Sequence, residues 1–205
     1  MQQRELDRKR RSAEEPLVGN LPDYPGIWAA MMISPDLKEA LEVLTDVVLV
    51  RPFAGATLSR GERELLASAV SAGNACFYCM DGHGAFASAL LQKDGMAETE
   101  ADRLVEDLKS CRTDLLSAKM RALVHIAQTV RDRAWALQMS DIEEARQAGA
   151  TEEDVQLAIL ISSAFCMFNR MVEGFRAKTP ADVNVYRQRA GPIVENGYSG
   201  RKYRS

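Results

Sequence analysis

Signals that begin helices follow one another along this chain from residue 34 onward, and they constrain its fold more than any other feature. Ser34-Pro35 places a good N-cap residue before proline at the first helical position. Residues 59–62 (SRGE) and 140–143 (SDIE) have the capping-box pattern, and residues 151–154 (TEED) open the most apolar segment. No run alternates convincingly between apolar and polar residues, so a sheet is not expected. These patterns predict an all-α fold with about six to eight helices.

The length of 205 residues suits a single domain with tails. We predict an N-terminal arm at 1–25, a helical domain at 26–180 and a C-terminal tail at 181–205. The arm is polar, charged and broken by prolines, which is typical of a mobile or partner-bound segment, and its basic residues 9–11 are expected to be solvated. The tail is basic, contains Pro192 and shows no evident core face.

Composition and charge exclude several classes of function. Hydrophobic residues make up 46% of the chain and charged residues 27%, which is ordinary for a globular protein. A net charge of −3 argues against nucleic-acid binding. The first residues contain no apolar signal region, and the longest nearly apolar run, 157–168, is too short to cross a bilayer. A cytoplasmic, reducing setting away from membranes is therefore predicted, and a CxxC motif there is typical of a redox or metal site.

Residues 76–83 (CFYCMDGH) contain a CxxC motif followed by one of only two histidines in the chain. On a helix, Cys76, Cys79 and His83 would lie on one face, at positions i, i+3 and i+7. The motif therefore places a dithiol beside a base. Glu64 lies twelve residues before Cys76 in an apolar segment, where a carboxylate is unusual and therefore suggests a functional role.

This arrangement suits thiol-based redox catalysis. The thiolate is the reactive form of cysteine, and a helix N-terminus or a neighbouring histidine promotes its formation. Peroxide converts a thiolate to a sulfenic acid, which a second cysteine one turn away can convert to a disulfide. Glu64 would orient His83 or take its proton.

Other interpretations of these residues remain open. The two cysteines could be buried core residues, and Glu64 could be a solvent-facing carboxylate. A zinc site would be one ligand short, and the second half of the chain has no matching CxxC or HxxxH. Cys111 and Cys166 are predicted to be structural. Residues 169–170 (NR) are either buried and hydrogen-bonded or directed at an interface or a pocket.

Three segments carry a resemblance to a known family: residues 58–66 (LSRGERELL), 71–79 (SAGNACFYC) and 82–84 (GHG). They resemble the catalytic signature of the alkylhydroperoxidase D-like branch of the carboxymuconolactone decarboxylase superfamily. Residues 168–170 (FNR) resemble a downstream feature of its peroxidase-related subgroup. The likeness covers roughly residues 34–175 and leaves out the arm and the tail.

The resemblance implies an all-helical homo-oligomer, a trimer or hexamer, that reduces hydroperoxides without metal, haem, flavin or another cofactor. It assigns peroxide attack to Cys79, resolution to Cys76, and a proton relay to His83 and Glu64. It also implies a dithiol electron donor that is either a lipoyl-bearing or a thioredoxin-like protein. The best-known members have a further histidine between the cysteines, where this chain has Tyr78.

The leading hypothesis is thus a cysteine-based peroxidase of the alkylhydroperoxidase type, an antioxidant oxidoreductase. One alternative is a lactone decarboxylase of the same superfamily, whose members generally lack CxxC. Another is a redox-sensing or disulfide-exchange protein that turns over little peroxide. Peroxide consumption with a supplied dithiol separates the first hypothesis from the other two.

Overall fold

The computed structural model describes residues 2–200, which contain no β-strand and form helices along most of their length. The predicted all-α fold is confirmed. The α-helices are α1 (Gln2–Ser12), α2 (Ile27–Met31), α3 (Pro35–Leu49), α4 (Arg60–Gly73), α5 (Phe77–Lys93), α6 (Glu98–Lys109), α7 (Ala118–Arg133), α8 (Met139–Gln147), α9 (Glu152–Phe175) and α10 (Asn184–Asn196), and a 3₁₀ turn spans Ala134–Ala136.

Most of the predicted helix starts are confirmed by their cap hydrogen bonds. Ser34 caps α3, and the capping boxes at residues 59–62 and 151–154 begin α4 and α9. The box predicted at 140–143 is wrong. Helix α8 begins at Met139, because extended Gln138 is the N-cap and its backbone N–H donates to Asp141 at 2.8 Å. The helix therefore starts before Ser140.

The prediction of about six to eight helices was too low, because α1 and α10 lie in polar segments and α2 has only five residues. Tyr186, Ala190 and Val194 on α10 are buried at a spacing of four residues, and α10 packs against α5. The tail thus has a core face, which its many polar residues conceal in the sequence. The division into arm, domain and tail stays a prediction.

Helix α1 is docked on the helical body by arginines that bind carboxylates of other helices. Arg11 is buried, so the expectation of a fully solvated basic run at residues 9–11 was wrong for this residue. Its guanidinium binds a carboxylate and two backbone carbonyls, which replace the lost water. The ion pairs are Arg4–Glu106, Arg8–Asp81 and Arg11–Glu173, each at 2.8–2.9 Å.

Helices α4 and α9 lie at the centre of the core. Leu65 and Leu66 on α4 are buried, as are Leu157, Ile161 and Phe165 on α9. Helix α9 is long and apolar enough by length and composition to cross a membrane, and more than half of its most apolar stretch is buried inside the fold. Core helices of globular domains meet the same criteria. In this structure α9 supports one wall of the site described below.

The turn between α4 and α5 sets the position of the CxxC motif. Ala75 has a left-handed backbone with φ of 55°, an uncommon conformation for a residue other than glycine. This residue reverses the chain, so that Cys76 becomes the N-cap of α5. Gly26, with φ of 58°, lies against the ring of Tyr78, and a Cβ at position 26 would be 2.1 Å from that ring. Only glycine lets the segment before α2 approach the motif so closely.

Candidate active site

The two cysteines of the motif are both buried free thiols at the N-terminus of α5. Cys76 is the N-cap and Cys79 lies in the first turn, so the predicted helical proximity is present even though Cys76 precedes the helix. Burial, and after it a hydrogen bond to Cys79, raises the pKa of Cys76 well above its usual value. Cys76 is therefore held as a neutral thiol that donates toward Cys79.

The structure brings Glu64 and His83 together. His83 Nδ1 is 2.7 Å from Glu64 Oε2, and the Glu64 carboxylate on α4 is fully buried. Because an ionised carboxylate only accepts hydrogen bonds, Nδ1 carries the proton and donates it. The lone pair is then on Nε2. His83 lies one helical turn after Cys79 on α5, so this nitrogen belongs to the same helix face as the thiol.

Tyr198 is a third member of this cluster that the sequence interpretation missed. Its hydroxyl donates to Glu64 Oε1 at 2.8 Å and lies 3.2 Å from His83 Nδ1. Burial and the Glu64 charge raise the pKa of Tyr198 well above its usual value, so the hydroxyl keeps its proton. The backbone N–H of Tyr198 donates to buried Asp46 at 2.8 Å, which ties the tail to α3. No sequence signal pointed to Tyr198, because the tail lies outside the resemblance.

Cys79, His83 and Tyr198 line a common cavity of about 70 Å³. Cys76 is not among its lining residues, so Cys79 is the sulfur of the motif that meets the cavity. The wall of this cavity is mostly aromatic and aliphatic, and it is formed in part by Ile27, Trp28, Met31, Phe86, Phe165, Phe168, Tyr186 and Ile193. The ring of Phe165 meets His83 edge-on at a centroid distance of 4.5 Å, which holds the imidazole in place. The site is thus a small, mostly apolar chamber with one thiol and one imidazole, and Glu42, Thr45 and Arg189 are further polar residues of its lining.

The overall fold is similar to that of several solved structures. A peroxidase-related protein from Silicibacter sp., described as uncharacterized, is 22% identical and has a TM-score of 0.67. The match covers 86% of this chain and 93% of the Silicibacter protein. An uncharacterized peroxidase-related protein from Ralstonia eutropha, described as an alkylhydroperoxidase AhpD core, is 22% identical and has a TM-score of 0.66. The match covers 90% of this chain and 88% of the Ralstonia protein. The chain has the alkylhydroperoxidase D-like fold. A protein of unknown function from Agrobacterium tumefaciens, named as a candidate antioxidant defence protein AhpD, is 19% identical and has a TM-score of 0.58. The match covers 75% of this chain and 97% of the Agrobacterium protein.

No protein-family profile matches the chain, and no curated protein matches it. The structural comparison therefore detects the alkylhydroperoxidase D-like fold at a level of identity where neither a family profile nor a curated protein matches. The structural matches cover 86% and 90% of the chain, which is more than the roughly 34–175 span of the sequence resemblance.

Asn169 supports the turn that carries the motif in this alkylhydroperoxidase D-like fold. It is buried, accepts from Asn74 Nδ2 at 2.9 Å and donates to Ser71 Oγ at 3.1 Å. Of the two alternatives for residues 169–170, Asn169 is the buried, hydrogen-bonded one, while Arg170 is exposed. The link between α9 and the end of α4 helps to hold the strained turn before Cys76.

The remaining candidate residues lie outside the cavity. Cys111 is exposed, and Cys166 is half-buried with its sulfur 3.7 Å from Asn74 Nδ2. His125 lies on α7 beside Asp141, apart from His83. Within residues 2–200, no three histidine, cysteine, aspartate or glutamate side chains form a group that could hold a metal ion.

A larger cavity of about 390 Å³ lies against another face of α5 and contains neither cysteine. Charged residues of α1, α5 and α6 line it, including Arg8, Asp81 and Lys109. Arg8 and Lys109 both bind buried Asp81, at 2.9 and 3.3 Å. These charges pair with one another, so this cavity is a gap between helices that is lined by ion pairs.

Proposed function

We propose that the protein is a peroxiredoxin-like alkylhydroperoxidase that reduces organic hydroperoxides through a dithiol–disulfide cycle of Cys79 and Cys76. One observation carries this proposal: Cys79 lines an apolar chamber, one helical turn from a histidine whose Nδ1 is bound to a buried carboxylate. Such a pair is suited to accept the thiol proton and return it. The descriptions of the structural neighbours as peroxidase-related and AhpD-like support the same class of reaction.

In the first step, the Cys79 proton moves to His83 Nε2 and the thiolate attacks the terminal oxygen of the hydroperoxide. An S–O bond forms, the O–O bond breaks, and the leaving alkoxide takes the proton from His83 as it departs as an alcohol. Cys79 is then a sulfenic acid, and the peroxide has been reduced by two electrons.

In the second step, the sulfur of Cys76 attacks the sulfenic sulfur of Cys79. An S–S bond forms, the S–O bond breaks, and the thiol proton of Cys76 leaves with the hydroxyl group as water. Because the raised pKa of Cys76 keeps it a neutral thiol, it does not compete with Cys79 for the peroxide. Cys76 is the N-cap of α5 and Cys79 lies in the first turn, so the two cysteines are close in the chain and in the fold.

Glu64 and Tyr198 are positioning residues in this proposal, because each acts through His83. Glu64 orients the imidazole and stabilises its protonated form, and Tyr198 donates to the other carboxylate oxygen. The electron donor that reopens the disulfide is a lipoyl-bearing or thioredoxin-like dithiol protein. The setting that we propose is the reducing cytoplasm.

Steady-state peroxide consumption with cumene hydroperoxide and dihydrolipoamide tests the proposal. Wild type should turn over, Cys79→Ser should be inactive, and Cys76→Ser should accumulate a trappable sulfenic acid on Cys79. Mass spectrometry after one equivalent of peroxide should find a Cys76–Cys79 disulfide. Disulfide formation without turnover would favour a redox sensor. No reaction at either cysteine would contradict the proposal and return the lactone decarboxylase to consideration.

We also propose that the protein is a homo-oligomer, a trimer or hexamer. Leu160 and Met167 are exposed on one face of α9, and Trp135 and Met139 are exposed at and just after the 3₁₀ turn. An apolar surface of this kind is typical of subunit contacts. Light scattering should report a multiple of three subunits, and a monomer at micromolar concentration would contradict this assignment.

A further inference from the structure

Arg189 on α10 brings a positive charge to the wall of the apolar chamber. It lines the same cavity as Cys79 and is half-buried. Its Nη1 donates to the hydroxyl of Tyr78 at 2.9 Å, and its guanidinium lies over the ring of Trp28, 5.7 Å from the centroid. Aromatic groups thus hold the cation from two sides.

No carboxylate among residues 2–200 forms an ion pair with Arg189. Neighbouring cations differ in this respect. Arg187, two residues earlier on α10, binds Asp102 at 2.8 Å. Lys38, whose ammonium group also lies over the ring of Trp28, binds Glu42 at 2.5 Å. The hydroxyl that Arg189 does bind stays neutral, because burial raises the pKa of Tyr78 to about 12. The charge of Arg189 is therefore not compensated within the described chain.

A half-buried cation without a counter-ion leaves its charge free to attract an anionic ligand. The guanidinium is a planar fork whose N–H groups match the two oxygens of a carboxylate, and only one of its terminal nitrogens is used by Tyr78. Tyr78 itself is the residue that replaces the histidine found between the cysteines of the best-known members. In this chain the hydroxyl of Tyr78 accepts a hydrogen bond from Arg189 and so helps to position its guanidinium.

We propose that Arg189 binds the carboxylate of an organic hydroperoxide whose compact apolar body occupies the aromatic chamber. This inference rests on the proposed peroxidase function and specifies its substrate class. The mostly aromatic and aliphatic lining of the chamber suits an apolar body. The carboxylate on Arg189 would orient the ligand within the chamber that Cys79 also lines.

The test compares two hydroperoxides that differ only in charge, cumene hydroperoxide and its 4-carboxylate. Wild type should have the larger kcat/KM for the carboxylate. Arg189→Gln should lower that value by roughly ten- to a hundredfold, as expected for charge-assisted hydrogen bonds. It should change kcat/KM for the neutral peroxide by less than about threefold, which is the range of uncharged packing changes. Arg189→Lys keeps the charge but loses the fork, so it should recover only part of the preference.

Arg187→Gln is the matched control, because Arg187 lies on the same helix outside the chamber and should leave the preference for the carboxylate unchanged. An equal loss for both peroxides in Arg189→Gln would overturn the inference and give Arg189 a purely structural role. A wild type that shows no preference for the carboxylate would overturn it as well.

A binding measurement separates this inference from the proposed function. Calorimetry with 4-isopropylbenzoate, which carries no peroxide bond, should show binding to wild type and a loss of roughly ten- to a hundredfold in Arg189→Gln. If wild type binds this acid through Arg189 but consumes neither peroxide, the peroxidase proposal fails and the carboxylate site stands. Equal affinity in wild type and Arg189→Gln would overturn the site itself.

Discussion

The hydroxyl of Tyr198 donates a 2.8 Å hydrogen bond to Glu64, a residue 134 positions earlier in the chain. Glu64 Oε2 is in turn 2.7 Å from His83 Nδ1, so the carboxylate joins a residue of the tail to a residue of the CxxC helix. Both oxygens of a fully buried carboxylate are thereby hydrogen-bonded, which replaces the water that burial removes.

Removing the Tyr198 hydroxyl tests this relationship. Tyr198→Phe leaves Glu64 Oε1 without its donor, so the carboxylate holds His83 less well. We expect peroxide reduction to slow by roughly tenfold at neutral pH, the lower end of general-base contributions. Stopped-flow measurements of the reaction with cumene hydroperoxide check this. Tyr24→Phe, at an exposed position, is the matched control. A pH–rate profile identical to that of wild type would show that Tyr198 has only a structural role.

Neutralising Glu64 should have a larger effect of the same kind. Glu64→Gln keeps the shape but loses the charge that favours protonated His83, so thiolate formation at neutral pH is impaired. We expect a rate lower by roughly ten- to a hundredfold. The deficit should shrink toward alkaline pH, where the thiolate forms without help.

Alkylation and peroxide rates measured from about pH 6 to about pH 10 distinguish this mechanism from loss of stability, since thiolates form within that range. Glu195→Gln, an exposed carboxylate on α10, provides the comparison. A rate deficit of Glu64→Gln that does not vary with pH, together with a lower melting temperature, would remove Glu64 from the proton relay.

The buried thiol of Cys76 should react more slowly at neutral than at alkaline pH. A raised pKa means that the thiolate is scarce until the pH exceeds the value for a free cysteine, about 8.5. In Cys79→Ser, where burial still acts on Cys76, iodoacetamide should modify Cys76 slowly at neutral pH and faster as the pH rises. Exposed Cys111 serves as an internal reference in the same mass spectra. Modification of Cys76 as fast as that of Cys111 at neutral pH would contradict this prediction.

Asp154 should contribute strongly to stability. Although burial opposes its charge, hydrogen bonds from Thr57, Thr151 and Leu58 outweigh burial and lower its pKa. Its carboxylate caps α9 and accepts both backbone N–H groups of residues 57–58, at 2.7 and 2.9 Å. Asp154→Ala leaves these donors unpaired, so the free energy of unfolding should fall by roughly 2–4 kcal/mol.

Urea unfolding at neutral pH measures this loss, with Asp114→Ala as the exposed control. Because the folded-state pKa is lowered, the contribution of Asp154 is complete above its unfolded value of about 3.9 and is lost as the pH falls through the folded value. The difference between wild type and variant should therefore shrink only in strong acid. A difference that declines between about pH 7 and about pH 5 would contradict this assignment.

Local patterns in the sequence predicted most of the helices, because their causes are local. The caps at Ser34, Ser59 and Thr151 act within one helical turn, so they can be recognised from residues three positions apart. The prediction failed at α8, where Gln138 caps the helix although glutamine is not a favoured N-cap residue. The prediction also failed at α10, because its few buried residues stand among charged and polar residues in the sequence and form only a weak apolar pattern.

The sequence by itself determined the helical class, the CxxC motif and the histidine one turn away, because spacing along a helix dictates which side chains share a face. Tertiary structure decided that Glu64 meets His83, that Tyr198 closes the cluster, and that Arg189 reaches the chamber of Cys79. Those contacts join residues of separate helices and of the tail. Their geometry depends on how the helices pack, and no local spacing along the chain encodes that arrangement.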